Sequence, residues 1–136
     1  MVAFDRAFFQ NPEVALNTQV INSDTTTAGT IIDTVGFEAI TFFMQVGVVT
    51  NGDVAMLIED GDDSGLSDAA AVSDDFLVGT EVATLLDTSQ TVSKIGYVGK
   101  KQFVRPSAVT DNSANLTVGI TAVLTKKRHN DPITAA

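Results

Sequence analysis

The chain has 136 residues, 44% of them hydrophobic and 18% charged, with no cysteine and a formal net charge of −9. One core fits that length, disorder does not fit that composition, and the lack of cysteine excludes disulfides and thiolate chemistry while leaving the redox compartment open. The negative charge weighs against nucleic acid as a partner, because phosphate binding needs a concentrated basic surface, and no apolar run approaches the ~20 residues of a membrane-spanning helix.

Threonine and valine each occur 17 times. Both are stiff at χ1 and favour pleated strands over helix interiors. In chain order, residues 1–16 read as an N-terminal arm, with Phe4, Phe8 and Phe9 as candidate docking residues. The start carries Asp5 early and lacks a basic head before a long apolar stretch, so it does not read as a secretory signal. Residues 12–16 are one of two short helix candidates, and 18–22 and 29–33 are weak strands.

The segment 37–46, FEAITFFMQV, places Ile40, Phe42, Met44 and Val46 on one face and keeps Phe37 and Phe43 on the other. That pattern predicts a central strand covered on both sides. Asn51-Gly52-Asp53 then predicts a tight turn, and 53–60 its return strand, which makes a β-hairpin. The acidic stretch EDGDDSG at 59–65 follows. Asp60, Asp62, Ser64 and Gly65 match the first, third, fifth and sixth positions of a calcium-binding EF-hand loop. Ala71 stands at the twelfth, where that loop needs a bidentate Glu. A solvated acidic turn is the simpler reading.

Residues 67–72 are the second helix candidate, and 80–86 another weak strand. Residues 91–98 and 101–109 flank Gly99-Lys100-Lys101 and read as a second hairpin. Pro106 cannot donate to a ladder and should mark an edge, a bulge or a strand end. Residues 115–125, NLTVGITAVLT, alternate cleanly: Leu116, Val118, Ile120, Ala122 and Leu124 against a face rich in threonine. Together these predict an all-β fold, an antiparallel two-sheet sandwich of jelly-roll type or a small barrel, with about eight short strands over 17–125. Residues 126–136 read as a polar tail.

Charge is uneven along the chain. Residues 1–93 hold 15 acids and one base, Arg6, whereas 94–136 hold seven bases and two acids. Either the segments interleave and cancel, or opposite patches meet neighbouring subunits. Lys100, Lys101 and Arg105 are the candidate cations for an acidic partner surface. No catalytic constellation is evident. His129, the only histidine, sits in the tail, and no nucleophile elbow, phosphate-binding loop or dinucleotide fingerprint occurs. The expectation is a non-enzymatic chain with no cofactor and no metal site.

Three segments resemble a family of small structural proteins from tailed bacteriophages: IIDTVGFEAITFFMQVG, EDGDDSGLSDAAAVSDDFLVGTE and KIGYVGKKQFVR. They fall within about residues 31–105, and their joint occurrence in this order is specific where each alone is weak. The Phe-rich start and the KKRHN stretch depart from the family pattern. The resemblance implies a virion role, and the chains of this family look like capsid decoration, or cement, proteins. Such a protein would sit on the outer surface of the phage head, bound to the major capsid protein, as a homo-oligomer with a trimer favoured. Neither nucleic acid nor membrane is expected as a partner, on the charge and the apolar runs. Two alternatives remain: a head–tail connector or tail subunit, and a calcium- or carbohydrate-binding β-sandwich module.

Overall fold

The computed structural model describes residues 10–126. The expected strand-forming bias governs all of them: no α-helix occurs among the described residues, only short 3-10 turns such as Asp74–Phe76 and Val82–Thr84. The strands are β1 (Gln10–Ile21), β2 (Thr26–Ala28), β3 (Ile32–Asp33), β4 (Phe37–Gly61), β5 (Ala70–Ala71), β6 (Leu77–Val78), β7 (Val92–Tyr97) and β8 (Phe103–Lys126). All pair antiparallel in one sheet of order β1-β8-β4-β7-β6, with β2 and β3 on β8 and β5 on β4. The all-β antiparallel class is as the sequence predicts. The strands form one hydrogen-bonded sheet in place of two, and they are unequal, with β4 and β8 running 25 and 24 residues.

The β4–β8 ladder organises everything else. The first half of β4 pairs with the second half of β8, from Ala39 opposite Thr125 to Val46 opposite Val118; the second half pairs from Asp53 opposite Asp111 to Gly61 opposite Phe103. Between them the register slips twice. From Val46 to Asn51, β4 advances five residues against three on β8; from Asn51 to Asp53 it advances two against four. Each slip is of two residues, the side-chain period, so even-numbered residues of both strands face inward on either side of the irregularity. The slips also cancel, so the second half resumes the register of the first.

At this irregularity the sheet doubles back. Tyr97 pairs with Ile40 at one end of β4, yet its hydroxyl donates to the Asp60 carboxylate at the other end, at 2.7 Å. A straight strand would separate those β4 residues by roughly 66 Å. Further ties join the halves. Gly29 N donates to Pro106 O and Thr30 N to Ala15 O, at 2.8 and 2.6 Å. The Thr84 hydroxyl accepts from Met56 N, and the Thr84 carbonyl accepts from the Ser93 hydroxyl, both at 2.9 Å. The two inner faces enclose one core, in which Phe42, Met44 and Val46 of the first half meet Val54, Met56 and Ile58 of the second.

Several local expectations change accordingly. Asn51-Gly52-Asp53 does not close a hairpin: β4 passes straight through it, and Gly52, at φ +78°, sits in the bend. The left-handed conformation that such a motif supplies to a turn here supplies a bulge. The second hairpin is likewise absent, because β7 and the first half of β8 pair with opposite halves of β4 and 98–102 crosses between them. The 12–16 helix candidate lies in β1, 67–72 is turn and β5, and 80–86 holds a 3-10 turn with one bridge from Leu86 to Val54. Pro106 lies inside β8, where the outer neighbour changes from β3 to β2, so its missing donor falls at a break in that ladder. The 37–46 strand is central, but its second face, with Phe43, is only half-buried, and Phe37, beyond a register shift, packs against the core instead of lying on that face. Of the expected arm, Gln10–Leu16 belong to β1; Phe4, Phe8 and Phe9 lie outside the described residues, as does the tail beyond Lys126.

The bend is held by side chains. Asp24 accepts from Ser113 N and Ala114 N at 3.1 and 2.8 Å, and Asn51 Nδ2 donates to the carbonyls of Asn112 and Ser113. Asn112 and Ser113 are themselves left-handed, at φ +62° and +61°. A Cβ on Gly52 would come within 2.5 Å of Ala114 Cα and Asp111 O. Gly36 is also left-handed, at φ +88°, but nothing lies within 4 Å of its would-be Cβ. Gly36→Ala should therefore cost about 1–2 kcal/mol from conformation alone. Gly52→Ala should cost more than about 3 kcal/mol, because backbone must also move. Urea midpoints check this, and equal midpoints would contradict the bend.

Candidate functional site

The acidic stretch is the loop between β4 and β5, whose strands pair Glu59 with Ala71 and Asp60 with Ala70. Its carboxylates are turned onto the chain itself. Asp63 accepts from Gly65 N at 2.9 Å and Ser67 N at 3.2 Å; Asp68 accepts from Asp62 N at 2.9 Å and Asp63 N at 3.2 Å. The Ser67 N–H, with that of Gly65, holds the Asp63 carboxyl below the usual carboxylate range, and the Asp62 N–H does the same for Asp68. Both add stability above that range and lose it as pH falls through their lowered values. Among the described residues no three His, Cys, Asp or Glu side chains gather in a group that could hold a metal ion. Asp63 and Asp68 thus cap the turn, as Asp side chains commonly do, while Asp60 and Asp62 of the EF-hand-like spacing bind Tyr97 and Lys101.

This loop is fastened to the 98–102 crossover by a clasp. Tyr97, 3% exposed, donates its hydroxyl to Asp60 and accepts from Lys101 N at 3.3 Å. Lys101 Nζ pairs with Asp62, which raises the Lys101 pKa. Beside the clasp, Arg105 pairs with Glu59 directly opposite it on β4, at 3.1 Å, both side chains largely covered. The sequence offered Lys100, Lys101 and Arg105 for an acidic partner. The structure commits Lys101 and Arg105 to Asp62 and Glu59, and leaves Lys100 exposed on the crossover. Each committed cation had an acid about 40 residues away that only the doubled-back sheet brings near.

The sequence did not single out Lys94. It stands on the outward face of β7, exposed, and makes no ion pair among the described residues. Around it runs the outward face of the β1-β8-β4-β7-β6 half, with Val14, Val20, Val78 and Val92 each 60–65% exposed. Alternation in 37–46 and 115–125 signals this face.

Burial, reinforced by the Asp60 carboxylate, pushes the Tyr97 phenol well above its ordinary value near 10. The folded state therefore keeps a proton that the unfolded chain loses. This stability is complete below about pH 10 and is lost as pH rises toward the folded value. Tyr97 is the only tyrosine and there is no tryptophan, so absorbance at 295 nm reads this one group. Tyrosinate should be absent from the folded chain at pH 10–11 and appear together with loss of the β-sheet circular-dichroism signal. A midpoint near 10 with that signal intact would contradict the clasp.

No protein-family model and no curated protein matches the chain. Among solved structures, the PBSX exported protein XepA superposes with a TM-score of 0.61 at 9% identity, over 87% of this chain and 38% of that one. The SPBc2 prophage-derived protein YomS aligns with a TM-score of 0.47 at 11% identity, over 86% of this chain and 93% of that one. The likeness to XepA is one of fold, and the chain spans 38% of that protein's length.

Proposed function

We propose that the chain is a structural protein of a phage particle, a capsid decoration protein that binds the outer surface of the assembled head and stabilises it. One observation carries this reading. Two segments behind the resemblance to phage head proteins, EDGD and KIGYVGKK, meet in space: Tyr97 binds Asp60 and Lys101 binds Asp62, across 37 and 39 residues. The resemblance thus falls on residues that work together in this fold, as parts of one pattern would. The shared fold of XepA, described as an exported protein of PBSX, adds support from another phage-derived chain.

The mechanism needs no chemistry. A protein that binds only the assembled lattice lowers its free energy relative to the dissociated subunits, in proportion to RT ln(1 + [L]/Kd) per site. A net charge of −9 is repelled by packaged DNA, which favours the outer surface. Self-association about a capsid symmetry axis, with three copies favoured, would multiply the contacts each copy makes.

Copies per particle, measured by quantitative mass spectrometry against the major capsid protein, separate this reading from a head–tail connector. Decoration predicts a ratio near 1:1 or about 1:3, as lattice symmetry requires. A closed ring of roughly a dozen copies per particle would contradict it and favour the connector.

A further inference from the structure

At the bend, one side-chain amide ties β4 to β8. Asn51 Nδ2 donates to Asn112 O at 3.4 Å and to Ser113 O at 3.1 Å, and two acceptors in front of it fix the nitrogen on that side of the amide. Asn112 Nδ2 returns the contact to the Asp53 carboxylate at 2.5 Å. Two further carboxylates stand here: Asp24, bound to Ser113 N and Ala114 N, and Asp111, opposite Asp53 in the ladder. Asn51 is exposed, and of the seven asparagines in the chain it alone is followed by glycine.

An amide in that setting is chemically labile. With no Cβ on its own residue to obstruct the approach, the Gly52 nitrogen can attack Asn51 Cγ. The nitrogen loses its proton, the N–Cγ bond forms, and the Cγ–Nδ2 bond breaks with release of ammonia. Water then opens the five-membered succinimide. Attack at Cγ leaves aspartate; attack at the main-chain carbonyl leaves isoaspartate, whose backbone runs through the former side chain. One water enters and one ammonia leaves, with no change of oxidation state.

The closed bend opposes the first step. Ammonia can leave only after Nδ2 gives up both carbonyls. Gly52 has no room to shift while the strands stay together, since Ala114 Cα and Asp111 O lie 2.5 Å from where a Cβ would stand. The product acts in the opposite sense. A carboxylate at position 51 has no proton to donate to Asn112 O or Ser113 O, and it adds a charge beside Asp24, Asp53 and Asp111.

We propose that Asn51-Gly52 is a site of spontaneous deamidation controlled by the bend. The closed bend suppresses the reaction, local opening permits it, and the deamidated residue cannot remake the tie. The bend therefore loosens in one direction only, at a rate set by how often β4 and β8 part at this point. Nothing in this depends on what the chain binds.

The test follows deamidation at every asparagine of the full chain by peptide mass spectrometry, at neutral pH and one temperature, with and without denaturing urea. In urea, Asn51 should react faster than the other six asparagines. Without urea it should react at least about tenfold more slowly than in urea. Asp24→Ala loosens the β8 side of the bend without touching Asn51, and should speed the native reaction severalfold while the circular-dichroism signal is kept. Gly36→Ala, destabilising but at the far end of this half of β4, should not speed it, which separates local from global opening. Asn51→Asp, the product made directly, should fold with a urea midpoint lower by roughly 0.5 M. Equal rates with and without urea would overturn the proposal, as would no acceleration by Asp24→Ala, an equal acceleration by Gly36→Ala, or an unchanged midpoint for Asn51→Asp. Should Asp24→Ala not fold, the urea comparison and the Asn51→Asp midpoint decide.

Discussion

Two equal and opposite slips in one ladder hold this molecule together. Because each slip between β4 and β8 spans two residues, the side-chain period of a strand, and the two cancel, each strand can bend through the middle of the sheet and still send the same alternate side chains inward. Phe42 and Met44 on one side of the bend and Met56 and Ile58 on the other belong to one core. All four are at most 2% exposed, and burying each is worth about 1.5–3 kcal/mol. The bend is costly locally. It needs left-handed backbone at Gly52, Asn112 and Ser113, and it removes ladder hydrogen bonds, which Asp24 and Asn51 partly replace. The shared core on its two sides offsets that cost.

The same doubling back decides what the surface can do. It brings the acidic β4–β5 loop against the crossover after β7, so Asp60 and Asp62 are occupied by Tyr97 and Lys101. It also leaves each half of the sheet with one outward face. Two of the loop's acids are tied to Lys101 and Arg105, and exposed valines mark the outward face of the β1-β8-β4-β7-β6 half.

Much of the local structure was legible in the sequence. The inward sets Ile40-Phe42-Met44-Val46 and Leu116-Val118-Ile120-Ala122-Leu124 follow from alternation, and all of them are buried. What could not be read was connectivity. Asn-Gly-Asp signals a left-handed residue, and Gly52 is one; whether that residue reverses the chain or bulges a through-going strand depends on a partner strand some 60 residues away. Short-range patterns favour the nearest partner, and so yielded two hairpins where the fold has one long-range ladder. The ion pairs of two candidate cations were hidden for the same reason: Glu59 and Asp62, which pair with Arg105 and Lys101, are distant in sequence.

The doubled-back strand is most directly tested by a distance along β4. The chain has no cysteine, so Glu38→Cys and Asp62→Cys, both at exposed positions, can carry a pair of spin labels without background. With Tyr97 bridging Ile40 and Asp60, pulsed dipolar spectroscopy should give one distance of roughly 20–30 Å, whereas a straight strand of that length would hold the labels about 80 Å apart. A narrow distribution at the short distance is the outcome required by one sheet folded over one core; a distance beyond about 50 Å would show an unbent strand, and the enclosed core and both outward faces would have to be abandoned.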